Sequence, residues 1–253
     1  AVLLWSAALT ALLVRRWDNL AVWGAAAGLL WLVGTWKYYP FALGVMLIPA
    51  LRLRRGWIVL VGFAAATLGY VVLTRQNLLF SLRSNTDMIN YGDYVVLGRT
   101  PIVARMLGTD VAAGGWQFGD VLLVVLAVFA VIAGFAVGRI ARVRRPWFAM
   151  LAAGGSAMYL SSVLLAGFGY AYKATFLLLA VPALSRLPGS QVRVVAASGL
   201  AIVLLIGVQS VVVWNTVMVT ISGLAAGSFA LGFALAVMAG SVNSRRRSLI
   251  PQP

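Results

Sequence analysis

Long uncharged runs alternate with short clusters of arginine along the whole chain. Four of the runs, Leu20–Trp36, Trp57–Thr74, Val121–Gly138 and Trp147–Phe168, hold 17 to 22 residues without a charge. An α-helix that crosses the hydrocarbon core of a membrane, about 30 Å thick, needs about 20 apolar residues. Each of these runs therefore predicts a membrane-spanning helix.

Shorter and longer runs complete the pattern. Tyr38–Leu51 and Tyr170–Leu184 are predicted to be two short spans. Ala1–Val14 is predicted to be the end of another span, whose beginning is missing together with the natural N-terminus of the chain. Val194–Ser244 holds 51 residues without a charge, which as one α-helix would be about 76 Å long. It therefore predicts two spans, with a turn near Asn215–Gly223.

These nine runs predict an all-α, polytopic transmembrane helix bundle that forms a single integral membrane domain over residues 1–253. The polar segment 75–120 is predicted to be one long extracytoplasmic loop. Within it, Tyr94–Leu107 has the apolar spacing of a short amphipathic helix lying on the membrane surface, and a plain surface loop is the alternative. Small residues at Gly154–Ala157 and Gly223–Gly227 predict close helix packing.

The composition supports a membrane protein and excludes several kinds of chemistry. Hydrophobic residues make up 62% of the chain and charged residues 10%, against about 25% charged residues in soluble domains, and the mean hydropathy is +0.98. The chain has no cysteine, no histidine and no glutamate. A structural zinc site, a disulfide framework and a Ser-His-Asp triad are therefore excluded, and we expect neither a metal nor a cofactor.

The positive charges predict the orientation of the chain. There are 20 Lys plus Arg against 5 acids, a net charge of +15, but the cations fall in short clusters between apolar runs, which argues against nucleic-acid binding and follows the positive-inside rule. The excess of arginine over lysine is compatible with a GC-rich bacterial genome, so we expect a bacterial plasma membrane. With the C-terminus in the cytoplasm, 14 of the 20 cations lie on the cytoplasmic side, at positions 15, 16, 52, 54, 55, 139, 142, 144, 145, 186, 193, 245, 246 and 247.

The two lysines are the first candidates for a binding site. Lys37 is followed by Tyr38 and Tyr39, and Lys173 is preceded by Tyr172, each pair at the outer start of a short span. A helix N-terminus carries partial positive charge and disfavours a cation, yet its free N–H groups bind anions. The combination predicts a site for an anion such as a phosphate. The alternative is that both lysines extend to the outer headgroups and the tyrosines belong to an interfacial aromatic belt.

The carboxylates of the long loop are the second candidates. Asp87 and Asp93 lie close to Arg83 on the outer side of the predicted membrane. A carboxylate there can act as general base on a sugar hydroxyl, and Arg83 can bind a phosphate or position the carboxylate. The alternative is a solvated loop with ordinary charge balance.

Three segments resemble a family of membrane enzymes. Lys37–Pro40, an apolar run and then Arg52–Trp57 resemble the polyprenyl-phosphate-mannose-dependent branch of the GT-C superfamily of glycosyltransferases, in which a Lys-x-x-Pro element precedes a span that ends in a basic loop. Tyr172–Pro182 is similar to a Leu-rich span in related polysaccharide-cluster membrane proteins, with Lys173 where those proteins have arginine.

The resemblance implies a glycosyltransferase that uses no nucleotide. It implies transfer of a sugar, mannose or another hexose, from a polyprenyl-phosphate donor to a glycan or glycolipid acceptor at the outer face, with Lys37 and Lys173 on the donor phosphate. The family's catalytic aspartate usually lies in the first outer loop, which we expect to precede Ala1. The competing hypothesis is a non-catalytic membrane protein or a transporter of a lipid-linked polysaccharide pathway.

Overall fold

The computed structural model describes residues 2–77, 118–140, 146–165, 171–185, 189, 193 and 213–248. All regular secondary structure in these ranges is helical, and they contain no strand. The predicted all-α class is therefore confirmed. We number the α-helices α1 to α7 and the two 3-10 helices η1 and η2. Their bounds are Val2–Arg16 (α1), Leu20–Trp36 (α2), Tyr39–Arg52 (η1), Trp57–Leu73 (α3), Phe118–Ile140 (α4), Pro146–Leu165 (α5), Ala171–Ala180 (η2), Val181–Leu184 (α6) and Val213–Ser248 (α7).

One helix in the described ranges is long and apolar enough to cross a membrane by itself, and its spanning segment is Gly223–Ser241 in α7. Five other apolar helical segments have 10 to 17 residues: Leu20–Trp36, Tyr39–Arg52, Trp57–Leu73, Val124–Ile140 and Thr175–Leu184. Of the predicted nine spans, the structure thus gives one that meets the length criterion. The full count remains a prediction.

The two short spans differ from the regular helices expected, because both are 3-10 helices. A 3-10 helix rises about 2.0 Å per residue against 1.5 Å in an α-helix. The 14 residues of η1 therefore extend over about 28 Å, where an α-helix of that length would cover about 21 Å. Pro49 inside η1 gives a physical reason, because proline has no N–H for the α-helical ladder and its ring clashes with the carbonyl four residues earlier.

The predicted turn near Asn215–Gly223 is wrong. The helix α7 runs through these residues without interruption, and it has 36 residues. No proline lies between Val213 and Ser248, so every residue there can donate its N–H to the helical ladder. Asn215 and Gly223 both lie inside the helix.

Helix α5 lies at the centre of the bundle and packs against α1, η1, η2 and α7. Nearly every side chain along Ala149–Tyr159 is buried. A Cβ added at Gly154 would meet the Met46 side chain of η1, and one at Gly155 would meet the Phe176 carbonyl oxygen of η2. The prediction of close packing at the small residues is confirmed, because these glycines let both 3-10 helices approach α5 directly.

Helices α4 and α7 also approach each other at glycine positions. A Cβ at Gly134 would meet the carbonyl oxygen of Phe229, and one at Gly138 would lie 2.8 Å from the Ala236 side chain. In the other direction, a Cβ at Gly232 would meet the carbonyl oxygen of Val131. The backbones of the two helices are therefore in contact, in the manner of small-residue interfaces between membrane helices.

The bundle has two chemically different ends. At the arginine end, Arg15 lies over the Trp147 ring at the start of α5, and Arg52 at the end of η1 forms an ion pair with Asp18. At the lysine end, Lys37 follows α2 and the hydroxyl of Ser161, near the end of α5, donates to the Tyr39 carbonyl. Because Met46 lies beside Gly154 and Tyr39 beside Ser161, η1 runs antiparallel to α5.

Candidate functional site

Lys37 stands at an extended break between two helices. It is the C-cap of α2, with φ −153° and ψ 141°, and its side chain is exposed. Two residues later the chain enters η1, with Pro40 in the first turn. The proline has no N–H, which is harmless in the first turn because that group has no intrahelical partner. Lys37 therefore lies two residues before the start of a helix, with its side chain exposed.

The Tyr38 side chain connects the segment between α2 and η1 to the end of α3. Its hydroxyl donates to the carbonyl oxygen of Thr74 over 3.1 Å, and the Tyr70 hydroxyl donates to the carbonyl oxygen of Thr35 over 2.9 Å. The two tyrosine rings lie with centroids 6.0 Å apart. These two hydrogen bonds join the end of α2 to the end of α3 from both sides, so the backbone that carries Lys37 is held in place.

Tyr39, at the start of η1, contacts the middle of η2. It is buried, and its ring centroid lies 6.1 Å from that of Phe176 in η2. Its carbonyl oxygen accepts a hydrogen bond of 2.8 Å from the Ser161 hydroxyl of α5. Gly155 packs beside Phe176 and Leu179, farther from the lysine end. Hence η2, like η1, begins at the lysine end of the bundle.

The second lysine lies in the first turn of η2. Tyr172 and Lys173 are part of Ala171–Ala180, and their side chains lie outside the described part of the structure. Residue 173 precedes Phe176 by one turn of a 3-10 helix, which has three residues per turn. The backbone positions of Lys37 and Lys173 are therefore both near the Tyr39–Phe176 contact, at the starts of two helices that run in the same direction.

The remaining predicted site residues lie outside the described ranges. Arg83, Asp87 and Asp93 fall in the 78–117 segment, as does the predicted amphipathic helix. Asp18, the one acid whose side chain the structure describes, lies at the opposite end of the bundle. The described residues contain no group of three potential metal ligands of the His, Cys, Asp or Glu type.

Sequence reasoning missed the acidic centre of the arginine end. The Asp18 carboxylate forms an ion pair of 2.9 Å with Arg52 and accepts a hydrogen bond of 2.9 Å from the indole N–H of the fully buried Trp23. The Arg52 guanidinium also lies 5.9 Å from the centroid of the Trp23 ring. A signal was present, because Asp18 is the only acid in the sequence outside positions 87–120 and it directly follows a basic cluster.

No protein-family model, curated protein or solved structure matches this chain. The arrangement itself therefore carries the functional argument. It consists of the exposed Lys37 in the extended segment between α2 and η1, close to the first residues of both 3-10 helices. The rings of Tyr39 and Phe176 join these two helices.

Proposed function

We propose that this chain is a polytopic protein of the bacterial plasma membrane, with its C-terminus in the cytoplasm and the lysine end outside. We propose nine spans for it, with the division between the last two before Val213. We propose further that it transfers a hexose, such as mannose, from a polyprenyl-phosphate donor to a glycan or glycolipid acceptor at the outer face. The observation that carries this proposal is the position of the exposed Lys37 before the start of η1, which contacts η2 through Tyr39 and Phe176.

The exposed surface of α3 supports the membrane setting. This helix has no charged residue, and of its side chains only Val59 is fully buried. Leu68 is 66% exposed and Leu73 is 86% exposed. A helix that is apolar on all sides requires an apolar environment on all sides, and lipid supplies it where protein does not. Exposed Trp36 at one end of α2 and exposed Trp17 near the other match the aromatic belts of membrane proteins.

The anion site is supported by the backbone as well as by charge. The first N–H groups of a helix have no partner within it, and aligned peptide dipoles place partial positive charge there. Two helix starts and an exposed lysine close to them favour the binding of a phosphate. The Tyr38 hydroxyl donates to the protein itself, so its part in our proposal is to hold Lys37 in position.

The proposed reaction balances without a nucleotide. A carboxylate takes the proton of the acceptor hydroxyl, and the oxygen attacks the anomeric carbon of the donor sugar. The bond between that carbon and the phosphate oxygen breaks, and its electron pair leaves with the polyprenyl phosphate. Lys37 and Lys173 stabilise the charge that develops on the phosphate. Asp87 and Asp93 are the base candidates within this sequence.

Donor-lipid binding by the purified protein tests the phosphate site. We expect Lys37→Met and Lys173→Met each to weaken binding tenfold to more than a hundredfold, because hydrogen bonds to charged groups contribute about 1.5–3 kcal/mol. Lys37→Arg is the matched control, and it should bind more tightly than Lys37→Met because the charge is kept. If both methionine variants lost less than twofold in donor affinity, the better explanation would be that the two lysines only extend to the outer headgroups of the membrane.

Sugar transfer in membranes supplied with the donor tests the base. If Asp87 or Asp93 is the base, its asparagine variant should keep expression and donor binding and lose transfer, because an amide cannot accept the proton. Full transfer by both variants would assign the base to another residue. Donor binding by the wild type with no transfer at all would favour the non-catalytic alternative.

A further inference from the structure

The arginine end carries a large excess of positive charge that the described residues do not neutralise. Its one described carboxylate, Asp18, is already bound to Arg52 and Trp23. Arg52 is mostly buried, with 15% of its side chain exposed. The acid and the arginine therefore neutralise each other within the protein, although 26% of the Asp18 side chain remains exposed.

Four exposed arginines surround this pair, and we call them the arginine rim: Arg15, Arg16, Arg54 and Arg55. The Arg15 guanidinium lies 5.3 Å from the centroid of the Trp147 ring, and that of Arg16 lies 5.0 Å from the centroid of the Trp17 ring. Contact with an aromatic face orients a guanidinium but leaves the N–H groups at its edge unsatisfied. No described carboxylate forms an ion pair with a member of the rim.

The contacts of the fold bring the rim together from two separate segments, the end of α1 and the turn after η1. The Arg15–Trp147 contact joins the end of α1 to the start of α5. The Asp18–Arg52 ion pair joins the segment after α1 to the end of η1. Arg54 and Arg55 follow Arg52 in the turn that leads into α3. The fold of the bundle therefore fixes the position of the rim, because contacts between separate helices hold the segments that carry its arginines.

Apolar and aromatic surface borders the rim directly. Trp17 is 49% exposed and Trp57 is 56% exposed, and Ile58 beside Trp57 is exposed as well. A free phosphate ion would gain nothing from these side chains. A phospholipid offers both a negative headgroup for the arginines and acyl chains for the apolar surface, and indole rings favour the depth between the two.

We propose that the arginine rim binds the headgroup of an acidic phospholipid in the leaflet at the arginine end. This site is separate from the donor-lipid site at the lysine end and does not depend on the proposed transfer activity. Each basic residue near an anionic membrane surface strengthens binding by about fivefold. Zwitterionic phospholipids, whose headgroup has no net charge, gain little from the rim.

Native mass spectrometry of the purified chain with short-chain phosphatidylglycerol, phosphatidylcholine and glycerol phosphate tests this proposal. We expect occupancy by phosphatidylglycerol alone, roughly fivefold weaker for Arg54→Gln and again for Arg55→Gln. Arg75→Gln is the matched control, because Arg75 is also exposed but follows α3 at the lysine end; it should change the affinity less than twofold. Both Arg54 and Arg75 are exposed, so the variants should fold, and equal melting temperatures check this.

Three results would overturn the proposal. An equal loss in Arg54→Gln and Arg75→Gln would mean unspecific attraction to the net charge of the chain. If the chain bound glycerol phosphate as tightly as phosphatidylglycerol, the site would be one for a soluble phosphate. If the chain bound phosphatidylcholine as tightly as phosphatidylglycerol, apolar contact alone would hold the lipid. The lipid site rests on the proposed membrane setting, but none of these results bears on Lys37, so the proposed sugar transfer is tested separately.

Discussion

Asp18 shows how one side chain can organise a strongly basic region. Its carboxylate accepts from the Trp23 indole and from Arg52 at 2.9 Å each, so it joins the start of α2 to the end of η1. The Nε atom of Arg52 is buried without a hydrogen-bond partner, which leaves Asp18 as the group that compensates most of the buried positive charge. Removal of one partner from such a pair leaves the other charge uncompensated.

Replacement of Asp18 by asparagine is therefore expected to destabilise the protein. The amide keeps the size of the side chain but loses the negative charge, and a hydrogen bond to a charged group contributes about 1.5–3 kcal/mol. Thermal unfolding in detergent measures the effect. Arg54→Gln also changes the net charge by one and lies in the same region, but Arg54 is exposed, so its melting temperature should stay close to that of the wild type. Equal melting temperatures for Asp18→Asn and the wild type would contradict the assigned role.

At the scale of the elements, charge-bounded apolar runs were predictable and their local geometry was not. Leu20–Trp36 begins and ends where the sequence pattern placed it, because charged or polar residues on both sides leave no other place for an apolar helix to end. Pro49 disfavours a regular α-helix in η1, but the packing of Met46 and Leu43 against Gly154 involves residues more than 100 positions apart. Hydrophobic patterning alone contains no such information.

The glycine contacts between α4 and α7 give a sharp test of helix packing. A side chain at Gly232 would meet the carbonyl oxygen of Val131, so Gly232→Leu must push the two helices apart. Overpacking of this kind costs about 1–3 kcal/mol, occasionally more. Gly240→Leu is the control in the same helix, because a Cβ there has nothing within 4 Å. We expect a lower melting temperature for Gly232→Leu alone, and a similar loss in both variants would mean that intrinsic helix propensity, and not packing, governs α7.

At the scale of the molecule, the site was predictable only in its local parts. Lys37 and its neighbouring tyrosines are consecutive in the sequence, so their grouping was visible there. The contact of Tyr39 with Phe176 and that of Asp18 with Arg52 join distant segments, and neither follows from any local pattern. The fold supplies these long-range contacts, and among the described cations they distinguish Arg52, which is paired with Asp18, from exposed residues such as Lys37.

The topology of the whole chain can be tested with single cysteines, because the sequence contains none of its own. We expect a membrane-impermeant maleimide to label Asn90→Cys in intact cells and to label Ser244→Cys only after the cells are opened. The positive-inside rule is the physical reason, since the arginine clusters are predicted to stay on the cytoplasmic side. Labelling of both positions from the same side of sealed cells would refute the proposed orientation.

Because η1 and η2 are short 3-10 helices, the labelling test also shows whether each of them crosses the membrane. A search for helices of about 20 residues passes over Tyr39–Arg52 and Ala171–Ala180, although η1 at about 2.0 Å per residue is nearly as long as the hydrocarbon core is thick. A topology that leaves out both η1 and η2 as membrane crossings keeps the two chain ends on the same sides, because two missing crossings cancel. It places the segment between η1 and η2 on the opposite side. The Asn90 label alone thus distinguishes a chain with these two crossings from one without them, while the Ser244 label reads the same in both cases.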